Sequence, residues 1–420
     1  MKSLVVLVSV LVSLNTWSQS VTKKVLFLGN SYTYVNNLPQ MLADVANSNG
    51  DVLVFDSNTP GGYTLEQHAL NTTSLNKIML GTWDDVVLQE QSQLPSFSDP
   101  EVATMVFPFA HKLDSIILKY NPCAETVFYM TWGRKNGDAS NCAVWPPVCT
   151  YSGMDSLLHL RYVQMATDNH GIVSPVGALW KYIRQNFPAI ELYSADESHP
   201  SVAGTYAAAC SFYATVFKKD PSSISFNSTL LDTDAAIIRN AAKLIVFDSL
   251  INWHVGEYDP IADFTFIQSN LSDVSFTNAS TNSANYHWNF GDGNSSVSQN
   301  AVHTYASNGT FTVQLIADSC GISDTTSQVI TVDLLRLSEM NKTDNLLISP
   351  NPTSVSLSIQ GFEEEMNHYR IVSILGVVVG EGSLEFPNQL IDVNELAKGI
   401  YYFHFLKNKD LVASRRFVKK

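Results

Sequence analysis

Ser31 follows a run of four apolar residues, Val25-Leu26-Phe27-Leu28, and the pair Gly29-Asn30. Far downstream, Asp196-Glu197-Ser198-His199-Pro200 sets a carboxylate three residues before a histidine. A serine placed where a buried strand turns toward a helix has its hydroxyl held at the rim of a sheet. An aspartate at that spacing can hold an imidazole in the tautomer that accepts a proton from such a hydroxyl. The chemistry open to these three side chains is attack on an acyl carbon, with Ser31 as nucleophile, His199 as base and Asp196 as orienting carboxylate. Taken singly, Ser31 is equally a turn or cap residue, and His199 a surface histidine beside a helix. The pair carries the reading.

Acyl transfer also needs donors for the developing oxyanion. Pro60-Gly61-Gly62-Tyr63 follows the second apolar run, and Gly62 there can present its N–H to a tetrahedral intermediate. Leu88-Gln89-Glu90-Gln91-Ser92 follows the third, where a carboxamide can supply a second bond. One such donor is typically worth about 3 kcal/mol in the transition state. Met130-Thr131-Trp132-Gly133-Arg134 follows the fourth run. With Asn30 and Gln89, Trp132 and Arg134 are the candidates for a substrate cleft; the alternative for this last pair is packing plus a solvated guanidinium.

These groups must be held by a scaffold, and from Val21 to about Trp253 the pattern alternates between apolar runs and amphipathic stretches. Strands are predicted at 25–28, 52–55, 86–88 and 126–130, and helices at 38–48, 102–120, 154–169, 202–217 and 233–251. Such alternation implies a parallel sheet with helices on both faces, whose ligand site lies outside the carboxyl ends of the strands. Ser31 falls just past the first strand. Pro200 disfavours helix at His199 and suits the first position of the next helix, so residues 196–199 read as a loop that delivers the histidine to a helix mouth.

The stretch from Val25 to about Phe217 resembles an SGNH (GDSL-type) hydrolase. Phe27-Leu28-Gly29-Asn30-Ser31-Tyr32-Thr33 is similar to that family's first block, with Asn30 where many members have Asp. Gly62 matches the oxyanion glycine of the second block, and Asp196 and His199 the Asp-x-x-His block. The third block departs: the family's Gly-x-Asn-Asp is replaced by Gln89-Glu90-Gln91-Ser92. Alignment on the strand puts Gln91 where the oxyanion asparagine would be, with Gln89 the competitor. The resemblance implies a flavodoxin-like three-layer α/β domain and a Ser31-His199-Asp196 acyl-enzyme mechanism. The Ser31 and Gly62 N–H groups and the Gln91 side chain would form the oxyanion hole.

After Trp253 the helical period disappears. Residues 261–332 alternate Val, Phe and Ile with Ser, Thr and Asn, the pattern of a small β-sandwich. Trp288-Asn289-Phe290-Gly291-Asp292-Gly293, His303-Thr304-Tyr305 and Gly309-Thr310-Phe311-Thr312-Val313 resemble a polycystic-kidney-disease (PKD) domain, an immunoglobulin-like module. The last stretch opens Leu346-Leu347-Ile348-Ser349-Pro350-Asn351-Pro352. It continues to Leu396-Ala397-Lys398-Gly399-Ile400-Tyr401-Tyr402-Phe403 and a basic tail, Arg415 to Lys420. It resembles the C-terminal sorting domain of the type IX secretion system, which implies passage across a Gram-negative outer membrane. The bland alternative is another β-sandwich used for binding.

At the other end, Met1-Lys2, the apolar run from Leu4 to Leu14 and the polar stretch to Ser20 read as a signal peptide, its apolar core too short to span a bilayer. The expected domains are therefore 1–20 signal peptide, 21–255 SGNH domain, 260–333 PKD domain and 345–420 sorting domain. No later stretch is long and apolar enough to span a membrane. The 420 residues, 45% of them hydrophobic, suffice for several cores, and a net charge of −14 with no basic stripe argues against nucleic acid. Five cysteines in an exported chain permit disulfides. Cys142 and Cys149 bracket a Pro-rich loop that a local bridge would staple. Cys210 pairs with Cys123 or is a buried small residue, and Cys320 reads as the odd one out. The cysteines are too scattered for a zinc site, and no metal or organic cofactor is needed.

The function read from this chain is a secreted serine esterase. PKD modules often accompany carbohydrate-degrading enzymes, which points to removal of acetyl or other small acyl groups from carbohydrate, an analogy of company rather than of site. A lipid or aryl ester is the alternative substrate, and the chain has no long apolar lid segment near the site. A non-catalytic, carbohydrate-binding surface protein on the same scaffold is the third reading, favoured by the unusual third block. The expected partners are an acylated carbohydrate or other small ester and the type IX machinery.

Overall fold

The computed structural model describes residues 20–268, 272–333 and 346–420; the signal-peptide reading falls on residues outside these, apart from Ser20. The chain divides after Asp259 into two units. The first is built on five parallel strands: β1 (Thr22–Leu28), β2 (Val52–Asn58), β3 (Asp85–Leu88), β4 (Glu125–Tyr129) and β5 (Ile172–Ser174). Their order, β2-β1-β3-β4-β5, is the flavodoxin-like one. Strand order reverses between β1 and β3, so the crevice beyond their carboxyl ends is where a ligand would sit. The strands are continuous apolar runs rather than alternations because helices cover both faces of the sheet. Val25, Leu26, Phe27 and Leu28 are all fully buried.

The helices are α1 (Ser31–Tyr34), α2 (Leu38–Ser48), α3 (Leu65–Leu70), α4 (Thr72–Ile78), α5 (Asp99–Met105), α6 (Phe107–Tyr120), α7 (Tyr151–Asn169), α8 (Val176–Asn186), α9 (Val202–Val216) and α10 (Asp232–Ile245). One layer packs α2, α8, α9 and α10 together; the other groups α3, α5, α6 and α7. The expected helix over 102–120 is two helices. Val106 leaves helical geometry at φ −120° and ψ −63°, and Pro108 restarts the chain in the first turn of α6. The last helix stops at Ile245, followed by a 3-10 segment to Trp253. β5 went unpredicted, because a three-residue strand gives periodicity nothing to register, as did the short helices α1, α3 and α4; the 11-residue α8 was missed as well.

α9 is capped at Ser201, whose hydroxyl accepts from the Gly204 N–H at 3.1 Å, and its residues from Ala203 to Val216 are all buried. Its small side chains allow close packing. A Cβ on Gly204 would stand 2.3 Å from the Leu192 carbonyl oxygen and 2.4 Å from the Trp180 ring. The disulfide Cys142–Cys149 closes its loop, while Cys210 is a buried free thiol on α9, which decides its open pairing in favour of packing.

In the second unit, β6 (Phe264–Gln268), β7 (Asp273–Asn278) and β10 (Ala301–Thr304) form one antiparallel sheet, ordered β10-β7-β6. β8 (Asn285–Asn289), β9 (Ser295–Ser296), β11 (Gly309–Ser319) and β12 (Ile322–Val332) form the second, ordered β12-β11-β8-β9. Trp288, Phe264, Phe276 and Leu315 fill the core of this sandwich. The Gly291-Asp292-Gly293 turn needs its glycines, at φ 81° and 94°, and Asp292 reaches His303 Nε2 at 2.7 Å. Two further sheets make a second sandwich. β13 (Leu347–Ser349), β14 (Ser356–Gln360) and β17 (Asn388–Asp392) form one of them. β15 (His368–Ser373), β16 (Val378–Ser383), β18 (Gly399–Lys407) and β19 (Asp410–Lys419) form the other. Its core holds Leu357, Ile359, Phe403, Phe405 and Phe417.

The Gly204 contact sets a test of the packing. Gly204→Ala should cost about 1–3 kcal/mol through overpacking, seen as a lower urea midpoint at unchanged slope.

Candidate active site

β1 ends at Leu28, and the chain turns through Gly29 into Asn30, whose side chain caps α1 by accepting from the Tyr32 N–H at 3.1 Å. Ser31 is the first residue of that short helix, half-buried at the carboxyl end of the sheet. Its Oγ lies 2.8 Å from Nε2 of His199, a residue 168 positions away. The imidazole Nδ1 bonds to Asp196 Oδ2. The second carboxylate oxygen of Asp196 accepts the backbone N–H groups of Ser198 at 3.1 Å and His199 at 3.0 Å. Burial alone would raise the Asp196 pKa, but the hydrogen bonds from His199 and from these two amides outweigh it and hold the carboxyl below its ordinary value. Glu197, at φ 60°, makes the reversal that lets residue 196 face residue 199. The structure thus places the three side chains in one line, with the aspartate ionised and the histidine oriented.

The loop that carries His199 rests on a stack of aromatic rings, of which the sequence reading singled out Trp132 alone, as a cleft residue. Tyr32 is buried and stacks on Trp132 at 4.7 Å, which stacks in turn on Trp180 at 3.7 Å. The Tyr32 hydroxyl meets Ser198 Oγ at 2.7 Å, and Trp132 Nε1 donates to the Ser198 carbonyl at 3.0 Å. The Tyr32 ring stands edge-on to His199 at 5.5 Å. The only sequence signal was adjacency, since Tyr32 follows the candidate nucleophile directly.

Of the four cleft candidates, three are buried. Trp132 has no exposed surface because its indole is sandwiched between two rings. Asn30 is 2% exposed, its amide donating to the Tyr63 carbonyl at 2.9 Å. Gln89 is fully enclosed. Its Oε1 accepts from the Asn30 N–H at 2.9 Å and from Thr33 Oγ1 at 3.0 Å, and its Nε2 donates to Asn30 Oδ1 and the Glu90 carbonyl. It buttresses the turn from inside and is no cleft wall. Arg134 keeps 27% of its side chain exposed and pairs with the buried Asp138 at 3.2 Å.

Gly62 sits exposed at φ 73°, the third position of a turn closed by the Tyr63 N–H on the Pro60 carbonyl at 3.2 Å. Among the described residues, neither the Ser31 nor the Gly62 N–H has an intramolecular acceptor. The Gln91 carboxamide is already engaged: its oxygen accepts from Gln93 N at 2.8 Å and Leu94 N at 3.3 Å, and its nitrogen donates to Gln93 Oε1 at 3.1 Å. Gln93 in turn donates to Asp138 at 2.6 Å, and the Asp138 N–H bonds to Val148 at 2.7 Å. Gln91 is thereby tied to the disulfide loop.

Residues 259–333 match the family model of the PKD domain, and residues 347–420 that of a secretion system C-terminal sorting domain. The second unit is a PKD domain followed by a sorting domain. That sorting domain marks the chain for export by the type IX system, to the cell surface or the medium. Among the described residues no helix is long and apolar enough to cross a membrane. Among solved structures, the chain is similar to a DUF4886 family protein from Bacteroides uniformis (16% identity, 55% of this chain and 95% of the other, TM-score 0.47). It is also similar to a candidate SGNH hydrolase from Slackia heliotrinireducens (26%, 46% and 99%, TM-score 0.39). The PKD segment is similar to a PKD domain of a Vibrio cholerae metalloprotease (34%, 18% and 98%, TM-score 0.17). No curated protein matches the chain.

Glu90, between the two glutamines, is fully buried. Its carboxyl accepts from the Leu65 N–H at 3.2 Å and the Gln91 N–H at 2.5 Å, joining the segments that flank the site. Burial raises its pKa from 4.5 to about 8, against the pull of those two amides. The folded state therefore retains a proton that the unfolded chain has lost. Stability from this group is complete below the unfolded value and is lost as pH rises through about 8. Asp85, raised by burial to about 6, acts in the same direction, so a difference measurement is needed. Glu90→Gln should flatten the decline: its melting temperature relative to the parent, followed by calorimetry, should rise between pH 5 and about 8 and level off above that.

Proposed function

We propose that the chain is an exported serine esterase that removes acetyl or other small acyl groups from carbohydrate. The observation that carries the reading is the 2.8 Å approach of Ser31 Oγ to His199 Nε2, with Asp196 on the other ring nitrogen. Ser31 attacks the ester carbonyl and His199 Nε2 takes its proton. Asp196 keeps the ring in the required tautomer and stabilises the imidazolium. The collapsing intermediate receives that proton at the leaving alcohol, and water repeats the sequence on the acyl-enzyme. The free N–H groups of Ser31 and Gly62 are the proposed oxyanion donors. Gln91 joins them by exchanging Gln93 Oε1 for the substrate oxygen. The export signal and the PKD domain support an extracellular polymer as substrate, and a lipid or aryl ester is the alternative.

The commitment of the Gln89 and Gln91 carboxamides to internal partners favours a second reading, a carbohydrate-binding surface protein on the same scaffold. Ester hydrolysis separates the two. The full chain should hydrolyse p-nitrophenyl acetate faster than longer-chain esters, and Ser31→Ala should abolish turnover while leaving the melting temperature unchanged. Rates that rise with chain length would shift the substrate to lipids; no turnover from well-folded protein would favour the binding protein.

Asp196→Asn keeps an oxygen for the two backbone amides but stabilises the wrong histidine tautomer. It should lower kcat by about 10⁴-fold with little change in KM, measured on the same ester.

A further inference from the structure

A buried polar chain lies against the turn that carries Ser31, and the proposed acyl transfer does not use it. His68, on α3, has no exposed surface. Its Nε2 lies 2.9 Å from the Gly29 carbonyl oxygen and its Nδ1 2.7 Å from Ser74 Oγ. A carbonyl oxygen only accepts, so Nε2 carries the proton. In the neutral ring Nδ1 then accepts, and the Ser74 hydroxyl donates to it. Ser74 Oγ itself accepts from Asn58 Nδ2 at 2.8 Å, and Asn58 closes β2. Donation therefore runs one way, from Asn58 through Ser74 and His68 to Gly29. Burial lowers the His68 pKa, more than the Gly29 carbonyl raises it, and the ring's aromatic neighbour is Tyr63 at 5.2 Å. The histidine is uncharged and its tautomer is fixed.

The atom it holds matters. The peptide between Gly29 and Asn30 is gripped at its oxygen by His68 and at its N–H by Gln89 Oε1 at 2.9 Å. The preceding N–H, that of Gly29, bonds to the Asn58 carbonyl at 3.3 Å. Position 29 has no room for a side chain: a Cβ would stand 2.5 Å from Thr33 Oγ1 and 2.7 Å from Gln89 Oε1. A glycine is therefore required, and a glycine restrains its own dihedrals least of all residues. The restraint has to come from outside.

We propose that His68 is a positioning residue for the nucleophile, fixing through the Gly29 carbonyl the peptide that aims Ser31 Oγ at His199. This rests on the esterase reading only for its effect on rate; the clamp itself is a property of the fold. Without the imidazole donor, the Gly29 carbonyl loses its partner in a buried setting and the peptide is free to turn. A displacement of about 1 Å at a reacting group can cost about 10²-fold in rate.

The test uses the full chain with His68→Phe, which fills the space without a donor, and His68→Gln, whose amide nitrogen can reach the same carbonyl. Ester kinetics, melting temperature and hydrogen exchange of the amides at 30–34 are measured on each. The expected result for His68→Phe is a loss in kcat of about 10²-fold at nearly constant KM, with faster exchange at 30–34. His68→Gln should recover most of both. Wild-type kcat in His68→Phe, or equal loss in the two variants in step with their melting temperatures, would overturn the proposal. Should the parent hydrolyse no ester, the esterase reading fails and exchange alone decides: unchanged protection at 30–34 in His68→Phe removes the clamp, and faster exchange rescued by Gln sustains it.

Discussion

The want of space at Gly29 is the constraint from which the site follows. Gln89, at the end of β3, presses its carboxamide into the place a Cβ would occupy, and Thr33 closes the other side. Two adjacent strands of the switch point are thus locked together at their tips. The turn leaving β1 has one path open to it, and that path makes Asn30 the cap and Ser31 the first helical residue. Gln89 is a structural partner of the turn that carries Ser31. An enclosed amide with every donor and acceptor satisfied is a far better wedge than an exposed one, because any displacement would strand buried polar atoms.

Three separate polar systems converge on this crevice, and each is anchored in a different part of the chain. The base loop hangs from Tyr32 and Trp132 through Ser198. Glu90 bridges the amides of Leu65 and Gln91, so a single buried carboxyl links the second and third strand ends. Arg134, Asp138 and Gln93 carry the position of the disulfide loop back to Gln91. Each system includes a contact between segments far apart in the sequence, Tyr32 to Ser198, Leu65 to Glu90 and Gln93 to Asp138, so together they hold a shape that no short segment could hold alone.

The parts legible in the sequence are those written in short-range pattern. Apolar runs marked four of the five strands, and the Asp196-x-x-His199 spacing brought together two groups that do bond. Helix 38–48 fell where α2 lies because Asn37, Leu38 and Pro39 punctuate its start. Trp132 was read as a cleft residue and is buried, since its neighbours in the stack come from residues 32 and 180. Gln89 was read as a donor and is a wedge. His68 drew no notice in a short helix. In each case the residue type was visible, but its partner lay beyond any window a periodicity argument can use. The division at Pro108 was legible and was overlooked, a proline inside an otherwise regular amphipathic stretch.

The Asp196–His199 pair belongs to one self-contained hook. The carboxylate binds the ring and also the amides of its own loop, so Asp196 and His199 are fastened to each other more directly than either is to Ser31. Movement of the hook would part His199 from Ser31 while leaving the imidazole–carboxylate bond whole. A low-field proton resonance from that bond would consequently report an intact loop whether or not His199 meets Ser31. Whether His199 is set against Ser31 would be written instead in the serine side of the site.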